Sequence, residues 1–252
     1  LLARALADVR RGDFSSLHVL FTTARDTATC DGAGMIARSG TQFHWSNREY
    51  TSFDDYLAAF NHDKRKKIRQ ERRKLAEQGV TFERRRGDDI RGADWALFYR
   101  CYQNTYAVHG STPYLTADFF ARIAATMPQH LLMVIGRLHG RPVCAAFDIF
   151  SPTTLWGRYW GALGYLPGMH FEACYYQAIE FCIEARIATF EGGAQGVHKL
   201  ARGLTPVATH SAHAIGDPDF ADAIAEFCAA ERVDIAHSRE ELEHATPFRR
   251  DD

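Results

Sequence analysis

From Leu155 to His213 the chain changes its periodicity four times within sixty residues. LWGRYWGAL alternates like a strand, and GMHFEACYYQAIEFCIEAR runs apolar at helical spacing. ATFEGG is a short apolar run that stops on two glycines. GVHKLARG is a short helix ended by Gly203 and Pro206, and VATHSAHAI returns to a strand. A strand, a long helix, a strand, a short helix and a strand bring their ends to one edge of a sheet. Polar groups crowd those ends: Arg158, His170, Glu172, Gln177, Glu191, Gln195, His198, Lys199 and Arg202. That edge is the expected working site, and the rest of the chain its support.

The flanking sequence fits a mixed chain. Residues 1–10 read as an amphipathic helix, 16–21 as a strand, 32–38 as a short helix and 41–50 as a strand. The same order of elements recurs at 170–215, which predicts an internal duplication whose first copy is incomplete. The opening LLARALADVRRG reads as the middle of a helix, so part of a first lobe is expected to precede it. Residues 53–78 read as a helical connector, with Asp63 capping its basic part and Gly79 ending it. From residue 80 the pattern is strand, two helices (Trp95–His109 and a second capped by Thr116), then a three-stranded meander through the turns His139-Gly140 and Ser151-Pro152. The long helix is expected at 170–186, a buried strand at 188–191, a last strand at 207–215 and a closing helix at 220–231.

Charge matters by its placement, since the whole chain carries −1. Lys64, Arg65, Lys66, Lys67, Arg69, Arg72, Arg73 and Lys74 crowd one helix, and Arg84, Arg85 and Arg86 follow in the next strand. Two readings stand. One is a solvated helix face, in which repulsion between cations offsets pairs such as Asp63–Lys67 and Arg73–Glu77. The other is a surface for an anionic partner: RNA, a nucleotide-linked substrate or an acidic membrane. Six cysteines without a CxxC spacing, most among apolar neighbours, point to buried thiols and an intracellular setting. No segment reaches the ~18 apolar residues of a membrane span. Neither HExxH nor a Cys/His quartet is present, so no metal site is expected.

RYWG at 158–161, HFEACYYQ at 170–177, FEGGAQGVHKLARG at 190–203 and THSAH at 209–213 resemble the FemAB-like N-acyltransferases of the GNAT superfamily, the "peptidoglycan biosynthesis protein" type. QFHW at 42–45, TYAVHGSTPYLT at 105–116 and the KRKKIRQER run match as well. The resemblance covers nearly the whole chain. It departs at Val197, where the family usually has an acidic residue, and at Ala214, where it has a Trp. It implies an α/β (α+β) GNAT-like acyltransferase fold in tandem lobes, the first incomplete here: residues 1–52 the end of a first lobe, 53–79 the basic connector, 80–252 a complete lobe. It also implies a bacterial cytoplasmic enzyme, or one at the inner membrane surface, that passes an acyl group from acyl-CoA or aminoacyl-tRNA to an amine on a cell-wall precursor or another small molecule. The basic region from Lys64 to Arg86 would then meet tRNA.

Acyl transfer to an amine needs a deprotonated amine, a held donor and hydrogen-bond donors for the oxyanion. In a GNAT-like fold the strands before and after the long helix splay apart, so Arg158, Trp160 and Glu191 are the expected walls of the slot. Glu191, ending a buried strand, would have its pKa raised and suit it to take the amine's proton; a carboxylate capping the next helix is the plainer reading. His170 and Glu172 open the long helix. His170 could join the free N–H groups of that N-terminus in binding an anion, while Glu172 is either a functional carboxylate or one that merely complements the helix dipole. His198 and Arg202, four apart with Lys199 between, suit a phosphate or carboxylate, with a plain basic turn as alternative. Glu191, Glu172 and His170 are thus the expected catalytic groups, and Arg158, Trp160, Gln177, Gln195, His198, Lys199 and Arg202 the expected binding groups. The Q/RxxGxG/A loop that holds acyl-CoA pyrophosphate in GNAT enzymes is not evident in GALGYLPGMH. The rival reading is a non-catalytic module that holds RNA or an anionic lipid or nucleotide-linked ligand.

Overall fold

The computed structural model describes residues 1–194, 196–244 and 246–249. Its chain forms two compact units. The first comprises Leu1–Phe43, Ala194–Gly196 and Thr205–Thr246; the second comprises His44–Gly193, Val197–Leu204 and Pro247–Asp252. The last strand and closing helix therefore pack with the N-terminal segment, so residues 80–252 do not form one compact unit. Contacts across a sheet, distant in sequence, decide this.

In unit 1, α1 (Leu2–Arg10), β1 (Ser16–Leu20), α2 (Ala24–Gly32) and most of β2 (Ile36–Ser46) precede β8 (Thr205–Ile215) and α9 (Pro218–His244). β8 lies between β1 and β2, and β1 and β8 pair antiparallel from Ser16–Ile215 to Leu20–Ser211. The short helix expected at 32–38 lies earlier. Thr23 caps it, its side chain accepting from the Asp26 N–H while Asp26 bonds back to Thr23, a reciprocal box that fixes the start. The strand correspondingly begins at Ile36, and the closing helix runs well past 231.

Unit 2 holds α3 (Phe53–Ala58), α4 (His62–Glu77), β3 (Val80–Arg86), α5 (Gly92–Val108), α6 (Ala117–Thr126), β4 (Leu131–Leu138), β5 (Arg141–Phe150), β6 (Thr154–Ala162), α7 (Met169–Phe171), α8 (Gln177–Glu184) and β7 (Thr189–Glu191). The strands β3, β4, β5 and β6 pair antiparallel in sequence order, and β7 adds in parallel after the helical crossover. The meander has tight turns at the expected places; His139 and Gly140, both with positive φ, make the first. The end of β2 pairs antiparallel with β7 at His44–Ser46. The connector is two helices rather than one. Asn61, not Asp63, caps α4, its side chain accepting from the Lys64 N–H, while Gly79 ends the helix with φ +76.

The sheet of unit 2 is covered on both faces. Phe98, Tyr102 and Phe120 from α5 and α6 pack on Met133, Ile135 and Phe147. On the other face Leu75 of α4 and Met169 of α7 meet Val80 and Cys144. Central strands buried on both faces read as continuous apolar runs, and Leu131–Ile135 is fully such a run.

Candidate functional site

The strands that were expected to part do so. β6 and β7 pair over three positions, from Thr154–Thr189 to Trp156–Glu191. β7 then ends, and Gly192 and Gly193 carry the chain off, the latter with φ +78. β6 continues to Ala162 without β7 beside it. In the register with β5, Phe147 faces Tyr159 and Asp148 faces Gly157, so Arg158 is an extra, bulged residue. A bulge bends the strand and re-aims its groups. Leu163 donates its N–H to Val143 O, so alternation turns the N–H and C=O of residues 160 and 162 away from β5. Side chains of α5 take those carbonyls: Thr105 Oγ1 donates to Trp160 O at 3.0 Å and Asn104 Nδ2 to Ala162 O at 2.7 Å. The N–H groups of Trp160 and Ala162 are left pointing to the opened edge.

Alternation also sorts the side chains by face. Glu191 shares a face with its partners Trp156 and His44, and Trp156 is opposite Ile149, which packs against the α5–α6 core. Arg158 is exposed on that same face, where it lines a cavity of about 340 Å³ with Tyr102, Thr105, Tyr106 and His109. Tyr159 and Tyr114 share a hydroxyl hydrogen bond of 2.6 Å there. Two of the three expected walls, Arg158 and Glu191, therefore lie on one side of the sheet. Glu191 is half-buried, not enclosed as expected, because its short strand ends at the opening.

The other face carries Trp160, which packs on Val134, Ala146 and Ala173. Asp148, which the sequence reading did not single out, sits here, 2% exposed. Its Oδ2 has no hydrogen-bond partner among the described residues. Burial raises its pKa from 3.8 to about 8, so at neutral pH this carboxyl is mostly protonated. Gly157 lies across the strand pair from it; a Cβ there would stand 3.7 Å from Asp148 Oδ1 and 3.3 Å from Phe190 Cε2. The only sequence signal was an acid inside the apolar run VCAAFDIF.

Lys199, on the 3-10 helix Val197–Arg202, is 5% exposed and donates to Gly193 O at 3.2 Å. Burial lowers its pKa, and the nearby Cys174 thiol opposes that shift. It thus anchors the glycine turn that ends β7. His170 packs against Trp160, with ring centres 5.2 Å apart and the planes tilted by 55°. Burial, with His198, Arg202 and Lys199 nearby, lowers its pKa to about 4. A neutral imidazole could meet an anion by donating a hydrogen bond but not by its charge. His198 is exposed, bonded from Nε2 to the Tyr175 hydroxyl at 3.2 Å, and burial with Arg202 and Lys199 lowers its pKa.

Three other expected site residues are committed to structure. Glu172 is 4% exposed; Arg72 grips it with Nη2 to Oε1 at 2.8 Å, and Gln177 Nε2 donates to the same oxygen at 2.8 Å. Arg72 also binds Glu180 at 2.7 Å and lies 4.5 Å over the Phe53 ring. These contacts tie α4 to the π-helical turn Glu172–Tyr176 that links α7 to α8. A carboxylate so engaged lacks the free lone pairs of a general base. Arg202 is 5% exposed, its guanidinium 3.3 Å from the Phe171 ring centre and paired with Glu71 at 3.2 Å. The 3-10 geometry does not stack residues four apart on one face, so Arg202 turns inward while His198 faces out. Gln195 lies outside the described residues.

The basic run divides in the same way. Arg84 pairs with Glu184, Arg85 with Glu83 and Asp94, and Arg86 lies over Phe150 and Phe181. Arg69 meets Asp54, and Arg73 meets Glu77 at 3.5 Å. Among the described residues Lys64, Arg65, Lys66, Lys67 and Lys74 make no ion pair. A shallow groove along α4 is lined by His62, Arg65, Lys66, Arg69, Gln70 and Arg73. Among the described residues no three His, Cys, Asp or Glu side chains converge as a metal site would require, and no helix is long and apolar enough to cross a membrane.

Solved structures place this architecture. The C-terminal domain of a putative lysylphosphatidylglycerol synthetase from Agrobacterium fabrum is similar at a TM-score of 0.60 and 15% identity, over 91% of this chain and 76% of that one. The L-PGS structure from Bacillus licheniformis gives 0.62 and 11%, over 89% and 76%. FemX gives 0.57 and 9%, over 89% and 78%. At these identities the likeness is one of fold, and it agrees with the mixed α/β, GNAT-like architecture expected from the sequence. Among curated proteins none matches the sequence. The family model described as peptidoglycan biosynthesis/recognition matches residues 1–250, and the chain belongs to this FemAB-like family.

Proposed function

We propose that this protein is an N-acyltransferase or aminoacyltransferase that acylates an amine in cell-wall or lipid biosynthesis. The observation that carries the reading is the opened edge of β6, where the N–H groups of Trp160 and Ala162 face the place β7 has left. The amine nitrogen attacks the donor's carbonyl carbon. The carbonyl oxygen takes up the negative charge against these preorganised N–H groups. The C–N bond forms, the bond to the leaving oxygen or sulfur breaks, and the amine's proton leaves with the departing group. Glu191, half-buried beside the opening, receives that proton first. Lys199 holds the Gly192-Gly193 turn that keeps the opening apart. Arg158, in its tyrosine-lined cavity, orients an acidic acceptor from the α5 face.

The donor is an acyl-CoA or an aminoacyl-tRNA, and the compartment is the cytoplasm or the inner membrane surface. The family and the fold shared with FemX support an acyl- or aminoacyltransferase role. The test is turnover with a panel of CoA thioesters and charged tRNAs against amine acceptors, following free thiol or deacylated tRNA. Glu191→Gln and Lys199→Met are expected to abolish product while melting normally. Full activity in both variants refutes the assignment. A second reading has its own observation, the unpaired cations of α4: a non-catalytic module that binds RNA. Steeply salt-dependent RNA binding without turnover of any donor would establish it.

A further inference from the structure

Unit 1 contains a cavity of about 760 Å³ that the proposed transfer does not use. Its two ends differ in chemistry. The α9 wall is Phe220, Ile224, Phe227 and Cys228, an apolar stripe at helical spacing, and Phe14 faces it. Phe14, Phe220 and Phe227 stay 63%, 57% and 57% exposed. Large rings gathered around one mouth mark a surface that something covers. At the other end His18 and His213 are direct cross-strand partners on β1 and β8, with Nδ1 atoms 2.7 Å apart. One ring must donate and the other accept, and His213 Nε2 meets Ser211 Oγ at 2.9 Å. This leaves the outer nitrogen of His18 to the cavity.

The charges around that pair are unbalanced. Arg10, Arg11 and Arg38 also line the cavity, and Arg11 is paired with Asp8 and Asp13. Arg38 is held by Glu231 at 2.6 and 2.7 Å, whereas Arg10 makes no ion pair among the described residues. The acid among the described lining residues, Asp217, accepts the Phe220 N–H at the start of α9. Hydrogen-bonding groups thus collect at one end, and the long apolar wall offers none but the Cys228 thiol. A peptide would present polar backbone groups every ~3.3 Å along that wall and leave them unmet. A hydrocarbon chain has none to satisfy. The volume lies within the roughly 300–1,000 Å³ of small-molecule sites.

We propose that this cavity binds a single-chain anionic amphiphile, its hydrocarbon against Phe14 and α9 and its phosphate or carboxylate head at His18, His213 and Arg10. The site is independent of the transfer reaction. It is tested by calorimetric titration of the full chain, below micelle-forming concentrations, with dodecyl phosphate and dodecanoate. Butyl phosphate supplies the head without the chain, and dodecyl maltoside the chain without the charge. One-to-one binding of a twelve-carbon anion is expected, at least tenfold tighter than either control; whichever anion is preferred identifies the head. Arg10→Ser, at an exposed position, and His18→Phe are expected to weaken anion binding at least fivefold, and Ile224→Trp to block it by filling the cavity. The melting transition of each variant verifies folding. Equal affinity for dodecyl maltoside, no binding of either anion, unchanged affinity in both Arg10→Ser and Ile224→Trp, or burial of the face by self-association without ligand uptake would each overturn the proposal.

Discussion

Asp148→Asn is the sharpest test of the buried face of the slot. In the native protein the Asp148 carboxyl titrates at about 8, against 3.8 for the free side chain, and burial is the cause. The folded state therefore keeps a proton that the unfolded chain releases between about pH 4 and pH 8. The unfolded state binds fewer protons over that window, so stability falls as pH rises through it. At about 1.4 kcal/mol per pH unit the full penalty approaches 6 kcal/mol. Relaxation around the charge reduces that to about half or less, by analogy with an effective interior dielectric near 20. Asparagine has the shape of the neutral acid and does not titrate. The variant should match the wild type near pH 4, move ahead of it as pH rises, and exceed it by a few kcal/mol at pH 8. His170, whose pKa falls to about 4 from 6.5 on burial, contributes the opposite slope, with stability lost as pH falls from 6.5 towards 4. It acts equally in both proteins, so it cancels in the difference. Urea denaturation at pH 5, 6, 7 and 8 is the measurement. Parallel stability profiles for wild type and variant would show that Asp148 is not held protonated, and the buried-acid reasoning would go with it.

Other perturbations follow from the same contacts. Arg72→Met should destabilise by about 3 kcal/mol in urea melts, because Glu172 is left buried without its cation; Arg72→Met together with Glu172→Gln should recover part of it. Gly161→Ala should cost more than about 3 kcal/mol or abolish folding, since a Cβ there would overlap the Cys101 carbonyl of α5; a normal melt would contradict the close approach of α5 to β6. Replacing Lys64, Lys66 and Lys67 together by Glu should leave the melting temperature within a degree or two, since these exposed side chains make no ion pair among the described residues; on the RNA-binding reading, filter-binding of RNA drops at least tenfold. Retained RNA binding would remove α4 from the interface.

Local patterning decided much of the fold. Period-two alternation and the His139-Gly140 and Ser151-Pro152 turns made the meander legible, and the Thr116 cap and Gly79 stop marked helix ends because both act within one turn. The parting of β6 from β7 was expected from the GNAT-like resemblance, and the two glycines after FE mark where β7 stops, since glycine weakens a strand. Side-chain commitments were not. Glu172 read as a catalytic group and Arg202 as a binding group because the sequence does not show that Arg72, Glu71 and Phe171 arrive beside them from elsewhere in the chain. Asp148 stayed hidden in an apolar run, because its significance is its solvation, and burial by groups distant in sequence sets that. The His18–His213 pair is likewise a product of β1 meeting β8 across the length of the chain. Sequence determines the hydrogen bonds and turns made within a few residues. Which charges are buried, paired or left facing a cavity depends on long-range packing, and that the tertiary structure alone decided.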